Sequence, residues 1–145
     1  MPPRASTLTT LLIPGALATL AGTAIAVPPL PFPAALDLSS LDGDNGFVIN
    51  GSDAHAWSGL SVSSAGDVNG DGIDDIIIGA PAADPTYQSY EGASYVVFGK
   101  STPFAASLNL STLDGSNGFA LNGIDGFDNS GFSVSSAGDV NGDGI

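Results

Sequence analysis

At 145 residues the chain is long enough for at most one domain, and its formal net charge of −13 (fifteen Asp and Glu against Arg4 and Lys100) excludes the basic patch that a nucleic-acid partner demands. It contains no cysteine, so disulfides and thiol chemistry are excluded too. Such an excess of carboxylate fits a protein that neutralises its own acids with bound cations.

Residues 1–26 read as a secretory signal. Arg4 is their only charge, residues 8–21 are apolar apart from threonines and the Pro14-Gly15 break, and Ala24-Ile25-Ala26 is an A-x-A cleavage site that starts the mature chain at Val27. A membrane anchor is the competing reading, but Pro14, Gly15 and the threonines suit a span poorly. Residues 27–35 form a Pro-rich linker, and the Val-Pro-Pro-Leu-Pro-Phe-Pro run at 27–33 predicts an extended polyproline-type spacer.

From Leu36 onward the chain repeats itself. Residues 36–73 align without gaps on residues 108–145, with Asp67 falling on Asp139. Leu38-Ser39, Leu41-Asp42-Gly43, Asn45-Gly46-Phe47, Asn50-Gly51, Asp53, Ser58-Gly59 and all of 61–73 recur. This sets a first repeat at 36–107 and a second, truncated one at 108–145. Within the first period, strands are predicted at 47–50, 60–65, 75–79 and 94–98, with returns at 119–122 and 132–137. At 60–65, Leu60 and Val62 alternate with serines. The runs Ile76-Ile77-Ile78 and Tyr95-Val96-Val97-Phe98 are apolar on both faces and need sheets packed on both sides. Nothing in the mature chain has a helical period. The fold class is therefore all-β, with four strands per period stacked face to face as in a β-propeller.

Between the second and third strands lies Asp67-Val68-Asn69-Gly70-Asp71-Gly72-Ile73-Asp74-Asp75, and its first seven residues return at 139–145. Oxygen side chains at alternate positions, with glycine at the sixth, suit a loop wrapped around Ca2+, which takes six to eight oxygens. Asp67, Asn69, Asp71 and Asp75 offer side chains, and Ile73 its backbone carbonyl. Asp139, Asn141, Asp143 and Ile145 are the matching positions of the second copy. Position 12 is Ile78, and a strand comes next rather than a helix, so this is neither an EF-hand nor a dockerin-type half-hand. Asp75 closes the cage instead. The second copy stops before its closing Asp, so its site is expected to be weak or empty. An Asx-rich turn without metal is the alternative. Two carboxylates ~4 Å apart repel by about 4 kcal/mol at an effective dielectric of ~20, which calcium or protonation must offset.

Ser58-Gly59-Leu60, the cation loop, Gly79-Ala80-Pro81 and the run Gly92-Ala93-Ser94-Tyr95-Val96-Val97-Phe98-Gly99 together resemble an FG-GAP repeat. Such repeats build the N-terminal propeller of integrin alpha chains and related bacterial secreted and surface proteins. The resemblance covers residues 36–145. It implies that the loop joins the first two strands of a blade and holds calcium at the lower rim. One departure is Trp57-Ser58-Gly59 where the signature has Phe-Gly. About one complete blade, from Ser58 to Gly123, is expected with flanking strands, and the chain reads as the N-terminal piece of a longer propeller with further blades downstream. Such a piece is expected to be only marginally stable alone.

His55 is replaced by Phe127 in the second copy and reads as a loop residue; Trp57 falls on Asn129 and suits contact or packing equally. Asp53 and Asp125 suit turn hydrogen bonds. The sequons at Asn50 and Asn109 read as coincidental. No catalytic constellation appears, and Asp74 and Asp75, adjacent at a strand start, point to opposite faces. The expected function is a secreted or cell-surface calcium-binding propeller segment for adhesion or ligand binding, with calcium structural. A protein or glycan would bind through loops such as 84–92 with Tyr87 and Tyr90. The alternative is the non-catalytic propeller portion of a larger secreted hydrolase, phospholipase-type or glycan-acting.

Overall fold

The structure, a computed structural model, describes residues 33–84 and 90–139, together with the backbone of residues 18–20 and 23–25. The chain divides into two compact units, Met1–Leu36 and Asp37–Ile145. In the first, strand β1 (Ala18–Leu20) pairs antiparallel with β2 (Thr23–Ile25). The rest of the expected signal, and the polyproline spacer up to residue 32, lie outside the described residues.

The second unit is all-β. Its strands are β3 (Val48–Asn50), β4 (Ser61–Gly66), β5 (Asp75–Ala80), β6 (Ala93–Val97), β7 (Ser107–Asn109) and β8 (Gly118–Asn122). Two 3-10 turns, Leu38–Ser40 and Leu110–Thr112, are the only helical segments among the described residues. Strands β4, β5, β6 and β8 form one antiparallel four-stranded sheet in that order, the blade expected between Ser58 and Gly123. The β-branched run of β5 and the largely apolar β6 occupy its centre. There Ile76–Gly79 and all of β6 have a neighbour on both sides, and β6 is buried along its whole length.

Register decides which side chains share a face. Val62 lies opposite Ile78, Ile78 opposite Tyr95, and Tyr95 opposite Ala120. On this face Ile78, Ala80, Ala93, Tyr95 and Val97 pack with Ala56, Ala83 and Leu110 into the core. Ile49, Phe104, Leu108 and Leu113 border it. The opposite face carries Ser61, Gly79, Ser94 and Leu121, and next to them Ser63, Ile77, Val96 and Phe119. It is covered only in part, and not by a layer of apolar side chains but by the backbone around Gly131, whose carbonyl accepts a 2.9 Å hydrogen bond from the Ser61 hydroxyl.

Three features differ from the sequence reading. On β4 the serines at 61 and 63 are half-buried, while Leu60 and Val62 are 53% and 59% exposed. β4 is an edge strand, and Val62 lies beyond the cover that Ile78 receives. Residues 132–137, expected to repeat β4, form no strand. β4 is held by β5, whereas no described strand lies alongside 132–137, so its backbone groups have no ladder to join. The third is an addition: β7 pairs in parallel with β3, Val48 opposite Ser107 and Asn50 opposite Asn109. The sequence reading placed no strand at 107–109.

The repeat is nevertheless visible in atomic detail. Gly43 donates to the Gly46 carbonyl at 2.9 Å, and Gly115 to Gly118 at 2.9 Å; the Asp42 and Asp114 amides each donate to an Asn side chain, Asn45 and Asn117, at 3.1 Å. In the second of these turns the Ser116 hydroxyl, then its amide, hold the Asp114 carboxyl below its ordinary value of 3.8. The Ser39 amide, then its hydroxyl, do the same for Asp37.

These contacts set two expected outcomes. Because the folded pKa of Asp114 is depressed, its turn bonds contribute fully above the unfolded value and are lost as pH falls through the folded one. An NMR titration should give a midpoint below that of an unfolded reference, and Ser116→Ala should move it back up. Gly79→Ala places a methyl against the Gly131 carbonyl and the Ser61 hydroxyl. The backbone atom cannot give way, so urea melts should show a loss on the order of 1–3 kcal/mol.

Candidate metal centre

The loop between β4 and β5 begins at a register shift between Ser64 and Gly66 and ends where Asp75 opens β5. Gly72, at the sixth position, has φ +86°, a left-handed conformation that side chains resist. This turn aims successive amides back at the loop's own oxygens. Asp67 accepts from the Asp71 amide at 3.0 Å and the Gly72 amide at 2.6 Å. Asn69 Oδ1 also accepts from the Asp71 amide, at 2.9 Å. Asp71 accepts from the Ile73 amide at 2.9 Å and from Asn69 Nδ2 at 2.9 Å. Asp67, Asn69 and Asp71 are thus gathered around shared backbone donors.

Asp75 is held differently. It is 1% exposed, and both carboxylate oxygens are committed: Oδ2 accepts from the Val68 amide at 2.9 Å and Oδ1 from the Gly99 amide at 2.8 Å. A desolvated carboxylate needs such charge-assisted partners. One side chain thereby ties the start of the loop to the exit of β6. Asp74 is exposed, in keeping with the opposite-face reading of the pair. Gly99 fits because a Cβ there would meet the Asp74 carbonyl and, at 2.7 Å, the Ile73 side chain.

Among the described residues no three acidic or histidine side chains converge as a metal-binding group. The donor set is nonetheless all oxygen. Each carboxylate oxygen named has one lone pair engaged by an N–H and a second left over. The one described lysine does not serve these acids: Lys100 Nζ lies 4.5 Å from the centroid of the Phe104 ring, which stacks on Phe47 at 4.1 Å. In the second copy Asp139 is described and exposed, whereas Asn141, Asp143 and Ile145 lie outside the described residues.

The structure also places the remaining residues that the sequence singled out. His55 is exposed, and its amide donates to Asp53 Oδ1 at 3.0 Å, so Asp53 makes the expected turn. In the second copy the turn acceptor is Asp128, which takes the Asp125 amide at 3.0 Å. Trp57 is 65% exposed at φ +55°, so packing is not its role among the described residues. Tyr90 is exposed and meets Phe127 at 6.4 Å between ring centroids; Tyr87 lies outside the described residues. The two sequon asparagines bond one another, Asn50 Nδ2 to Asn109 Oδ1 at 2.8 Å. Sequence reasoning missed the Gly99 amide as a partner of Asp75. The only hint was the glycine that ends the apolar run 93–98.

Asp75→Asn replaces one acceptor oxygen with a donor and leaves either the Val68 or the Gly99 amide, both part-buried at this contact, without its partner. Measured in chelator, so that no metal contributes, urea unfolding should show a loss of about 1–3 kcal/mol. Asp74→Asn, at the exposed neighbour, should be close to neutral.

Comparison with known proteins adds one match. The FG-GAP repeat family matches residues 58–97, which span β4, the loop, β5 and β6. No curated protein and no solved structure matches the chain. FG-GAP repeats form the blades of β-propellers, which is the role a four-stranded antiparallel sheet suits. Residues 58–97 therefore carry an FG-GAP repeat, built around the loop that Asp75 closes.

Proposed function

We propose that this chain is a calcium-stabilised segment of an FG-GAP propeller, secreted or displayed at a cell surface, that binds a protein or glycan ligand in adhesion. The observation that carries the reading is the set of carboxylate and amide oxygens at 67, 69 and 71, preorganised by backbone amides. With Asp75 and the Ile73 carbonyl these are the residues that would hold the ion. Bound calcium would neutralise carboxylates that otherwise repel one another, and its role is structural. The chain's own part is to fix the acceptor positions beforehand. Asp139, Asn141, Asp143 and Ile145 are the matching positions of the second copy.

Export is supported by the composition of residues 1–26 and by FG-GAP repeats being found in extracellular and surface proteins. Among the described residues no helix is long and apolar enough to cross a membrane. Outside the cell, calcium is plentiful enough for a loop of modest affinity. Ligand contact is best served by exposed aromatics on loops, of which Tyr90 and Phe127 are examples.

The test is a thermal and urea melt in calcium, in magnesium and in chelator. At a calcium concentration about ten times the dissociation constant the gain should be about 1–2 kcal/mol. Magnesium should give less, and Asp71→Ala should remove the difference. Superimposable melts in calcium and chelator would overturn the metal reading.

A further inference from the structure

We infer that Tyr90 and Phe127 form a binding site for a quaternary ammonium, the trimethylammonium head of a phosphocholine on a lipid surface. The inference rests on the proposed use of these loops for ligand contact and names the chemistry of that ligand. It is independent of calcium.

The two rings are brought together by backbone and not by burial. Tyr90 lies in the connection that leads into β6, and Phe127 in the segment that leaves β8. The Phe127 amide donates to the Tyr90 carbonyl at 3.1 Å, and the Ser130 amide to the Glu91 carbonyl at 3.1 Å. The Gly123 amide donates to the Gly92 carbonyl at 2.8 Å. Asn129 Nδ2 closes the turn onto the Phe127 carbonyl at 2.8 Å. These bonds hold the ring centroids 6.4 Å apart, with the ring planes at 44°. Yet Tyr90 is 54% exposed and Phe127 71%, and Ile124 on the same loop is 87% exposed. Phe127 has φ +67°, a left-handed backbone that is costly for a phenylalanine and that concentrates at ligand-binding sites.

This exposure belongs to the loop position itself. In the first copy the counterpart of Phe127 is His55, which is followed by β4 and the complete four-stranded sheet, and His55 is exposed as well.

What the rings lack is a cation. An aromatic face attracts positive charge, and with these centroids one cation can lie within ~6 Å of both. Among the described residues the chain supplies none, since Lys100 is held at the Phe104 ring on a different loop. The net charge of −13 draws cations and repels an anionic surface. Asp125 and Asp128 add to the attraction at this loop. A phosphocholine surface, neutral overall with its trimethylammonium outermost, meets both conditions.

Hydrogen bonding selects the kind of cation. A primary ammonium or a guanidinium that leaves water needs acceptors in exchange. Asp128, the acid next to Phe127, has its Oδ2 turned to the Asp125 and Ile124 amides, at 3.0 and 3.4 Å. A quaternary ammonium carries no N–H. It requires ring faces and methyl contacts, which Tyr90, Phe127 and Ile124 offer. The same exposed apolar side chains suit the headgroup layer of a bilayer.

The test is an NMR titration of the full chain in chelator, so that no metal contributes, with choline and with ethanolamine, its primary-ammonium analogue. Choline should shift the ring resonances of Tyr90 and Phe127, and ethanolamine at the same concentration should shift them far less. Phe127→Asn removes the ring and suits the left-handed backbone, so it should weaken choline binding about tenfold with an unchanged melt. Tyr90→Leu should weaken it too, and Tyr90→Phe should not. Vesicles of phosphatidylcholine should broaden the same ring resonances, and vesicles of phosphatidylethanolamine should leave them sharp. Equal shifts from choline and ethanolamine, or choline binding that Phe127→Asn leaves intact, overturn the inference. Choline binding without any effect of phosphatidylcholine vesicles overturns the lipid source. A neutral glycan or a basic peptide that binds through Tyr90 and Phe127 while choline does not overturns the inference and leaves the ligand-contact reading in place.

Discussion

The buried carboxylate of Asp75 is the constraint on which the blade depends. Its two oxygens take amides from Val68 and Gly99, thirty-one positions apart along the chain. A charge so enclosed is tolerated only when donors surround it, and here the donors are the backbone itself. The loop start, the first residue of β5 and the exit of β6 are thereby locked together, and the register of the two central strands is set from that end of the sheet. The candidate cation loop is built on this fixed point, so its oxygens are arranged by the same bonds that hold the fold.

The second principle of the structure is close approach. The core is rich in alanine, with Ala56, Ala80, Ala83 and Ala93 beside only a few larger side chains. On the other face of the sheet Gly79, Gly92 and Gly131 let backbone pack against backbone. Such surfaces gain little from apolar area and much from shape, so they reward a matching repeat and few other partners. A single repeat cannot bury both faces of its sheet, and the exposure of Leu60, Val62 and Leu121 is the physical expression of that rule.

Carboxylates and aromatics are largely segregated in the second unit. Carboxylates and glycines gather at the β4–β5 end, where rigidity is set. Exposed aromatics lie on loops elsewhere, Tyr90 against Phe127 among them.

Local pattern settled a good deal by itself. The Ile76-Ile77-Ile78 and Tyr95-Val96-Val97 runs mark the central strands because only two-sided burial explains them. The alternating oxygens of 67–75 mark the loop because the spacing belongs to the loop, not to the fold. The 72-residue recurrence from Asp67 to Asp139 marks the unit. Tertiary structure alone decided the rest. The outward turn of Leu60 and Val62 depends on β4 being an edge, and the coil at 132–137 on a strand having no neighbour. Asp75 finds the Gly99 amide only once β6 has returned alongside β5. These outcomes depend on which segments meet, and a periodicity read along one strand carries no information about what lies across from it.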